Sequence, residues 1–539
     1  MHGSSSSNQR RRHTGAKANR YNYAVAFFVA LGSFTYGFNS SVIGAVLGQP
    51  SFYNYFGFEA TSSLGGSITG ATNGLYAGAG VIGCLTVFNL LDALGRKRAI
   101  QVAAIGCLIT GALQAGSVHI AMYLVGRFFN GLTVGWINCC VPVYISEISP
   151  AGERGRIVGA HGFIICVGYG LSGWCGLGTF YESNGTIQWR LLLALQCVAP
   201  LLLTLGSPWI PESPRYLINK GRDNEGLQVI EKLHANGSDG PNIGAREEFI
   251  QIQTQLALDR MQNVNSWWQI MKVPTYRKRI FYGFWLQCTT QSTGVLVLTN
   301  YMGFCVDQII ELQVLGITGA KALILLASYN TLAAITNGIN SLIVDRVGRI
   351  KMLVTCLIAC TISLILVTAL VAQYGGYENT NKTGSAMILL FMFCFATFYG
   401  GGLDVSAYVY CSEIFPTNIR ARGVGLSVAG LFLMTTIYTS AAGTAFNHIG
   451  WRYYIVFIVI TSCMLPLIIF KFPETKGLSL EEIGALFGDE VALDISHLSD
   501  EDRRALDARL ARTLDIEHFD TAVKGPSTQE IEEKGASID

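Results

Sequence analysis

Twelve apolar stretches, each long enough to cross about 30 Å of hydrocarbon as a helix, divide this chain into two sets of six. The first set falls at about 23–47, 69–91, 98–118, 121–145, 157–180 and 189–210. The second falls at about 278–306, 319–344, 351–373, 386–411, 421–446 and 450–470. A backbone in lipid must satisfy its own polar groups, so such stretches are expected to be helices packed into bundles. The composition agrees: 50% of the 539 residues are apolar, 14% are charged, and mean hydropathy is +0.38. Those values exclude an ordinary water-soluble protein. The expected fold is an all-α membrane protein of 12 transmembrane helices in two pseudo-symmetric six-helix bundles.

Polar segments set the domain order: a tail at 1–22, a first bundle at 23–210, a linker at 211–277, a second bundle at 278–470 and a tail at 471–539. The linker carries amphipathic helical patterns near 224–234 and 245–262, and the acidic last tail has a charged helical stretch at 499–514. Lys and Arg crowd one side. Arg10, Arg11, Arg12, Lys17, Arg20, Arg96, Lys97, Arg98, Arg154, Arg156, Lys220, Arg277, Lys278, Arg279, Arg349 and Lys351 all fall there. The opposite loops 48–68 and 181–188 carry none, and 374–384 carries only Lys382. Both termini and the linker are therefore expected in the cytoplasm, in a multi-pass protein of the plasma membrane. Asn184-Gly-Thr and Asn381-Lys-Thr then lie outside, which makes Asn184 and Asn381 candidate glycosylation sites, whereas Asn236-Gly-Ser lies inside. The polar, basic start leads straight into a full-length span, so no cleavable signal peptide is expected. The 14 cysteines read as buried small hydrophobes rather than a disulfide framework. A net charge of +2 offers no basic surface for nucleic acid.

Certain motifs occur twice, once in each set. Asp92-Ala-Leu-Gly-Arg96-Lys recurs as Asp345-Arg-Val-Gly-Arg349, and Ser146-Glu147-Ile-Ser-Pro150 with Arg154 recurs as Ser412-Glu413-Ile-Phe-Pro416 with Arg420. The offsets of 253 and 266 residues imply a large duplicated unit, which in so hydrophobic a chain points to a two-halved transporter. Gly126-Arg127-x-x-x-Gly131, Pro142-Val-Tyr-Ile-Ser-Glu147, Pro211-Glu-Ser-Pro-Arg215-Tyr-Leu and Pro473-Glu-Thr-Lys-Gly477-Leu-Ser-Leu-Glu-Glu482 complete the set. With these motifs in order, the chain resembles the sugar-porter branch of the major facilitator superfamily, closest to its fungal members, from about residue 23 to 488. The resemblance implies an inner gate of forked ion pairs at the cytoplasmic helix ends. Asp92, Arg96, Glu147, Arg154, Arg215, Asp345, Arg349, Glu413, Arg420 and Glu474 match its positions. The alternative is that the basic residues merely enforce topology. Glu147 and Glu413 resist it, because acidic residues add little to that bias.

Two charged residues, Arg127 and Asp404, and one titratable histidine, His161, stand out inside the spans, away from their ends. Intramembrane charge is costly and so is read as functional. Asn39 and Arg127 fall at similar depth when counted along their spans at 1.5 Å per residue. The resemblance implies that proton-coupled members carry a carboxylate where Asn39 stands, paired with the arginine. An amide cannot titrate, which favours a facilitative carrier and leaves proton coupling open. Asp404 follows three glycines in Tyr399-Gly-Gly-Gly-Leu-Asp404, where a rigid uninterrupted helix is not expected and freed backbone groups must face a cavity. The 266-residue offset carries Asp404 onto Asn138, so the two are expected to face each other across that cavity. Asp404 has three readings: a relocated proton carrier, a partner for a polar or cationic substrate group, and a structural partner of Arg127. His161 reads either as a titrating group or as one held by a hydrogen bond.

The resemblance also implies a substrate site built from amides and an indole around a pyranose. Gln291 matches the second member of the family's seventh-span pair and Thr290 replaces the first. Leu296 stands where Asn is usual, His161-Gly162 replaces a segment with a sugar-contacting Gln, Tyr408 takes a Trp position, and Leu431-Phe432 replaces Asn-Trp. Gln291, Thr290, Tyr408, Asn39, Asn138 and Asp404 are therefore the expected substrate contacts, in a chamber with fewer amides and more aromatic wall than a hexose carrier has. The implied function is movement of a sugar or related polyhydroxy compound by alternating access, facilitative or proton-coupled. An exporter of a specialised small metabolite and a non-transporting nutrient receptor are the alternatives. No phosphate loop and no Cys/His metal spacing is present in the sequence, so neither an enzyme, nor a metal, nor a cofactor is expected. The expected partners are the small-molecule substrate, protons and the lipid bilayer.

Overall fold

The computed structural model describes residues 18–59, 62–150, 153–234, 243–261, 266–299, 320–374, 381–416, 418–478 and 480–489. Among them the regular structure is helical throughout. The tail stretch with Arg10, Arg11, Arg12 and Lys17, and the charged stretch at 499–514, lie outside these residues.

Eleven helices among the described residues are long and apolar enough to cross a membrane. Arg20–Leu47, Leu64–Leu94, Arg96–Ala115, Ile120–Ile148, Arg154–Phe180 and Gly185–Trp209 form the first set. Ala320–Val347, Arg349–Tyr374, Lys382–Glu413, Arg420–Ala442 and Gly450–Lys471 are the eighth to twelfth spans, the eleventh helix running on to Ile449. The seventh apolar stretch carries the helix Pro274–Ser292, broken at Thr293-Gly294 and helical again over 295–299, and its remaining residues lie outside those described. Several spans run beyond their apolar stretch because polar residues continue a helix once it has been started. The second begins near 64 rather than 69, and the tenth ends at Glu413 with its gate motif still helical.

The bundles pack as sequence repeats should. Within the first half the second span lies on the fourth and the first on the fifth; within the second half the eighth lies on the tenth and the seventh on the eleventh. The halves meet along two seams, fifth span on eighth and second on eleventh. Lipid gives no hydrophobic drive between helices, so small residues let the backbones approach. A Cβ at Gly425 of the eleventh span would stand 2.5 Å from the Cys84 carbonyl of the second, and one at Gly131 would overlap the Tyr76 backbone.

The linker folds into short helices that include Asp223–His234 and Ile243–Met261, close to the two amphipathic patterns. Ile218, Ile230, Ala245, Ile252 and Leu256 form its own small core. The last helix among the described residues, Leu480–Phe487, docks at the start of the seventh span, where Arg279 pairs with Asp489 and stacks 4.7 Å from the Phe487 ring. The described cysteines are all free thiols, most of them buried or half-buried.

Candidate functional site

The duplicated motifs converge at the end of the bundle that holds the linker. Each Asp-x-x-Gly-Arg turn needs its glycine: Gly95 has φ 88° and Gly348 φ 106°, a region that side-chain-bearing residues rarely adopt. Space is a second reason. A Cβ would stand 2.6 Å from Glu212 Oε2 at Gly95 and 2.7 Å from Glu474 Oε2 at Gly348. These two glutamates cap the helices that follow: Glu212 Oε1 accepts from the N–H groups of Arg96 (2.9 Å) and Lys97 (3.1 Å), while Glu474 accepts from those of Arg349 (2.8 Å) and Ile350 (3.0 Å). A carboxylate at a helix N-terminus also meets the positive end of its dipole. Burial pushes the Glu212 carboxyl above its usual range, and backbone N–H bonds pull it back.

Beneath the caps sit the forked pairs. Arg96 bonds Glu147 through Nε (3.0 Å) and Nη2 (3.1 Å), and Arg349 bonds Glu413 through the same two atoms at 3.2 and 2.8 Å. Ser213 donates to Glu147 and Thr475 to Glu413, so each carboxylate also fastens the chain that follows a bundle. This layer also ties the halves together: Arg420 Nη1 stands 3.5 Å from Glu147 Oε1, and the Arg156 N–H donates to Asp345 Oδ2 at 2.8 Å. Arg154 and Arg215 are buried in the same layer. Asp92 is exposed at the end of the second span, and the described ion pairs do not include it.

On the far side of this layer, between the halves, lies a chamber of about 620 Å³, its mouth included. Tyr36, Ser40, Ser41, Cys166 and Tyr169 line it from the first half. From the second half come Gln291, Val295, Leu296, Thr299, Tyr329, Asn330, Ala333, Ala396, Tyr399, Gly400, Asp404, Tyr408 and Leu431. The tenth span enters the chamber through a π-helical stretch, Tyr399–Asp404, which the three glycines permit by letting the ninth and eighth spans press close. Gln291 donates to the Tyr399 hydroxyl at 3.3 Å, leaving its Oε1 without a partner among the described residues. The Asn330 amide nitrogen is likewise unpartnered among them. A cargo rich in hydroxyls would satisfy such groups.

Of the residues expected to touch substrate, Gln291, Tyr408 and Asp404 line the chamber. Thr290 lies behind it, donating to the Gln287 carbonyl at 2.8 Å. Asn39 turns its amide nitrogen to the Thr35 carbonyl (2.8 Å), and its backbone carbonyl accepts from Arg127 at 3.4 Å. Arg127 rests on the rings of Tyr76 and Tyr123. Asn138 reaches the second half through the Tyr408 hydroxyl at 3.2 Å, one helical turn from Asp404, which itself accepts from Asn337 at 3.4 Å. His161 is buried with Nδ1 2.7 Å from Ser33 Oγ and its ring edge-on to Tyr408 at 4.8 Å. Asn184 and Asn381 are exposed and cap the sixth and tenth spans through their side-chain oxygens.

Tyr169, Tyr329, Asn330 and Tyr399 were not singled out from the sequence. Only Tyr399 carried a local signal, its place directly before the glycines; the others sit in spans whose pattern is uniformly apolar with scattered polar residues.

Residues 25–487 match the family model for the sugar (and other) transporter family. Among curated proteins, the chain is 31% identical to the MFS-type transporter criB of Aspergillus cristatus over 490 residues, which is 90% of this chain and 97% of that one. It is 28% identical to a high-affinity glucose transporter of Kluyveromyces lactis, over 87% of this chain and 85% of that one. Among solved structures, the major facilitator superfamily proton:xylose symporter XylE bound to 6-bromo-6-deoxy-D-glucose matches with a TM-score of 0.75 at 21% identity, over 87% of this chain and 99% of that one.

Proposed function

The chain belongs to the sugar (and other) transporter family of multi-pass membrane carriers, and from that premise we propose that it moves a sugar or related polyhydroxy compound across the plasma membrane. The observation that carries this reading is the chamber itself. It lies between the halves and is lined from both, as rocking of two bundles about a central site requires.

In this reading both termini, the linker and the charged layer are cytoplasmic, and the conformation described is the one with its inner gate shut. Arg96, Glu147, Arg349, Glu413, Arg420 and Asp345 latch it; Glu212 and Glu474 brace the latch by capping the helices that bear the arginines. Asp92, Arg154 and Arg215 complete the gate. Substrate hydroxyls bond Gln291, Asn330 and the tyrosine hydroxyls, and ring faces lie along the tyrosines. Thr290, Asn39 and Asn138 act from behind by holding the lining helices. The Asn39 amide favours facilitated movement over coupling at the Arg127 position, and Asn184 and Asn381 are available for glycans outside.

A second reading, export of a less hydroxylated metabolite, draws on Val295, Leu296, Ala333, Ala396 and Leu431, which give the second half of the chamber an apolar wall. Counterflow in proteoliposomes over a panel of pentoses, hexoses, disaccharides and polyols separates the two. Exchange of at least one member, saturable and lost when the chamber residues are replaced, is expected; no exchange of any member would sink the sugar reading and leave the exporter.

A further inference from the structure

Asp404 stands in the chamber wall with no positive charge beside it. It ends the π-helical stretch of the tenth span and is partly open to the chamber. Its Oδ2 accepts from the Asn337 amide at 3.4 Å and lies 4.0 Å from the Cys166 thiol, both neutral groups. None of the described ion pairs includes it. Every element packed around it contributes an uncharged group: Tyr36 from the first span, Cys166 and Tyr169 from the fifth, Asn337 from the eighth, Cys356 from the ninth, and Tyr399 and Tyr408 from its own. Arg127 is engaged in the first half with Asn39, Tyr76 and Tyr123, and His161 with Ser33.

A lone carboxylate inside a membrane is costly, and closing the chamber over a neutral polyol would strip it of water without repaying that cost. Either the carboxyl takes up a proton or something positive arrives with the cargo. Phenol rings attract cations through their faces, and five tyrosines line the chamber that holds this one carboxylate. A bare proton would neutralise the charge but would make no use of the rings; an ammonium group uses both. We propose that Asp404 recognises a protonated amine on the cargo, so that the substrate class is an amine-bearing polyhydroxy compound such as an amino sugar or amino polyol. The inference rests on the carrier reading above and narrows it.

The test offers full-length protein in proteoliposomes two matched pairs of labelled compounds at slightly acidic pH. These are D-glucose with D-glucosamine, and D-glucitol with 1-amino-1-deoxy-D-glucitol. Within each pair the amine is expected to show counterflow at a half-saturation about tenfold or more below that of its hydroxyl partner, the gain typical of a charge-assisted hydrogen bond. Asp404→Asn should erase the preference and Asp404→Glu should keep it. Should Asp404→Asn fail to fold, the wild-type comparison within each pair decides alone. Equal handling of both members overturns the proposal and leaves the carrier reading standing, as does a preference that survives Asp404→Asn. Accumulation of the neutral members driven by a proton gradient, with no advantage to the amines, overturns it in favour of a proton at Asp404. If no member of either pair moves, the proposal falls, and the carrier reading is decided by the wider panel of sugars and polyols.

Discussion

At the residue scale, the chamber is defined by a few polar atoms that the protein leaves unsatisfied. Gln291 is the clearest: its amide nitrogen is spent on Tyr399, and its Oε1 points at no protein donor among the described residues. An acceptor held that way costs free energy until a cargo hydroxyl meets it. Gln291→Ala is therefore expected to raise the half-saturation concentration by roughly 5- to 150-fold, the equivalent of about 1–3 kcal/mol, with little change in maximal rate. Uptake kinetics at several substrate concentrations check it, and an unaltered half-saturation would refute the role. Gln291 was legible in the sequence because it lies in a matched motif, and Asp404 because a charge in an apolar span declares itself. Asn330 and Tyr329 were not, since a polar residue in a span gives no sign of whether it faces the chamber, a neighbouring helix or lipid. That choice is made by rotation of the eighth span against the fifth, a tertiary fact.

At the element scale, the duplicated turns were readable to the atom type and the tenth span was not. The Asp-x-x-Gly-Arg repeats announce a glycine between two helices, and both glycines adopt positive φ beneath a capping glutamate. In the tenth span the three glycines announced a weak helix without saying what form the weakness takes. The answer is a π-helical turn whose glycines are close-packed rather than loose: a Cβ at Gly402 would overlap the Cys356 sulfur of the ninth span, and one at Gly400 would stand 2.8 Å from the Ala333 Cβ of the eighth. The turn thus aims Asp404 and Tyr399 inward while two neighbours clamp its back. Gly402→Ala should destabilise the protein by about 1–3 kcal/mol through overpacking. Cys356→Ala, which removes the overlapping sulfur, should restore much of the loss. Thermal unfolding in detergent for the two single changes and the pair tests this, and additive losses would show that the clash is not the cause.

At the scale of the whole molecule, the two halves share one architecture and are latched to each other across the gate layer. Glu147 is bound by Arg96 of its own half, by Ser213 of the linker and by Arg420 of the other half, so a single carboxylate neutralises two buried guanidiniums across the seam. A latch of this kind must be strong enough to populate the shut gate and weak enough to release it, because a carrier locked in one state moves nothing. Removing the charge tips the balance. Glu147→Gln leaves Arg96 and Arg420 buried close together without their shared counter-charge, a change of the type that costs about 3–5 kcal/mol. That cost falls only on the shut conformation, since opening lets water reach both arginines. The expected result is a shift of the population toward the open gate by roughly two orders of magnitude or more. Hydrogen–deuterium exchange should quicken in the segments around 145–158 and 418–424 while the spans lining the chamber stay protected. Adding Arg420→Leu to Glu147→Gln removes one of the stranded charges and should slow exchange again, although neither variant would cycle at the wild-type rate. Unchanged exchange in Glu147→Gln would mean that the shut state is held by the packed seams between second and eleventh and between fifth and eighth spans, with the ion pairs adding little.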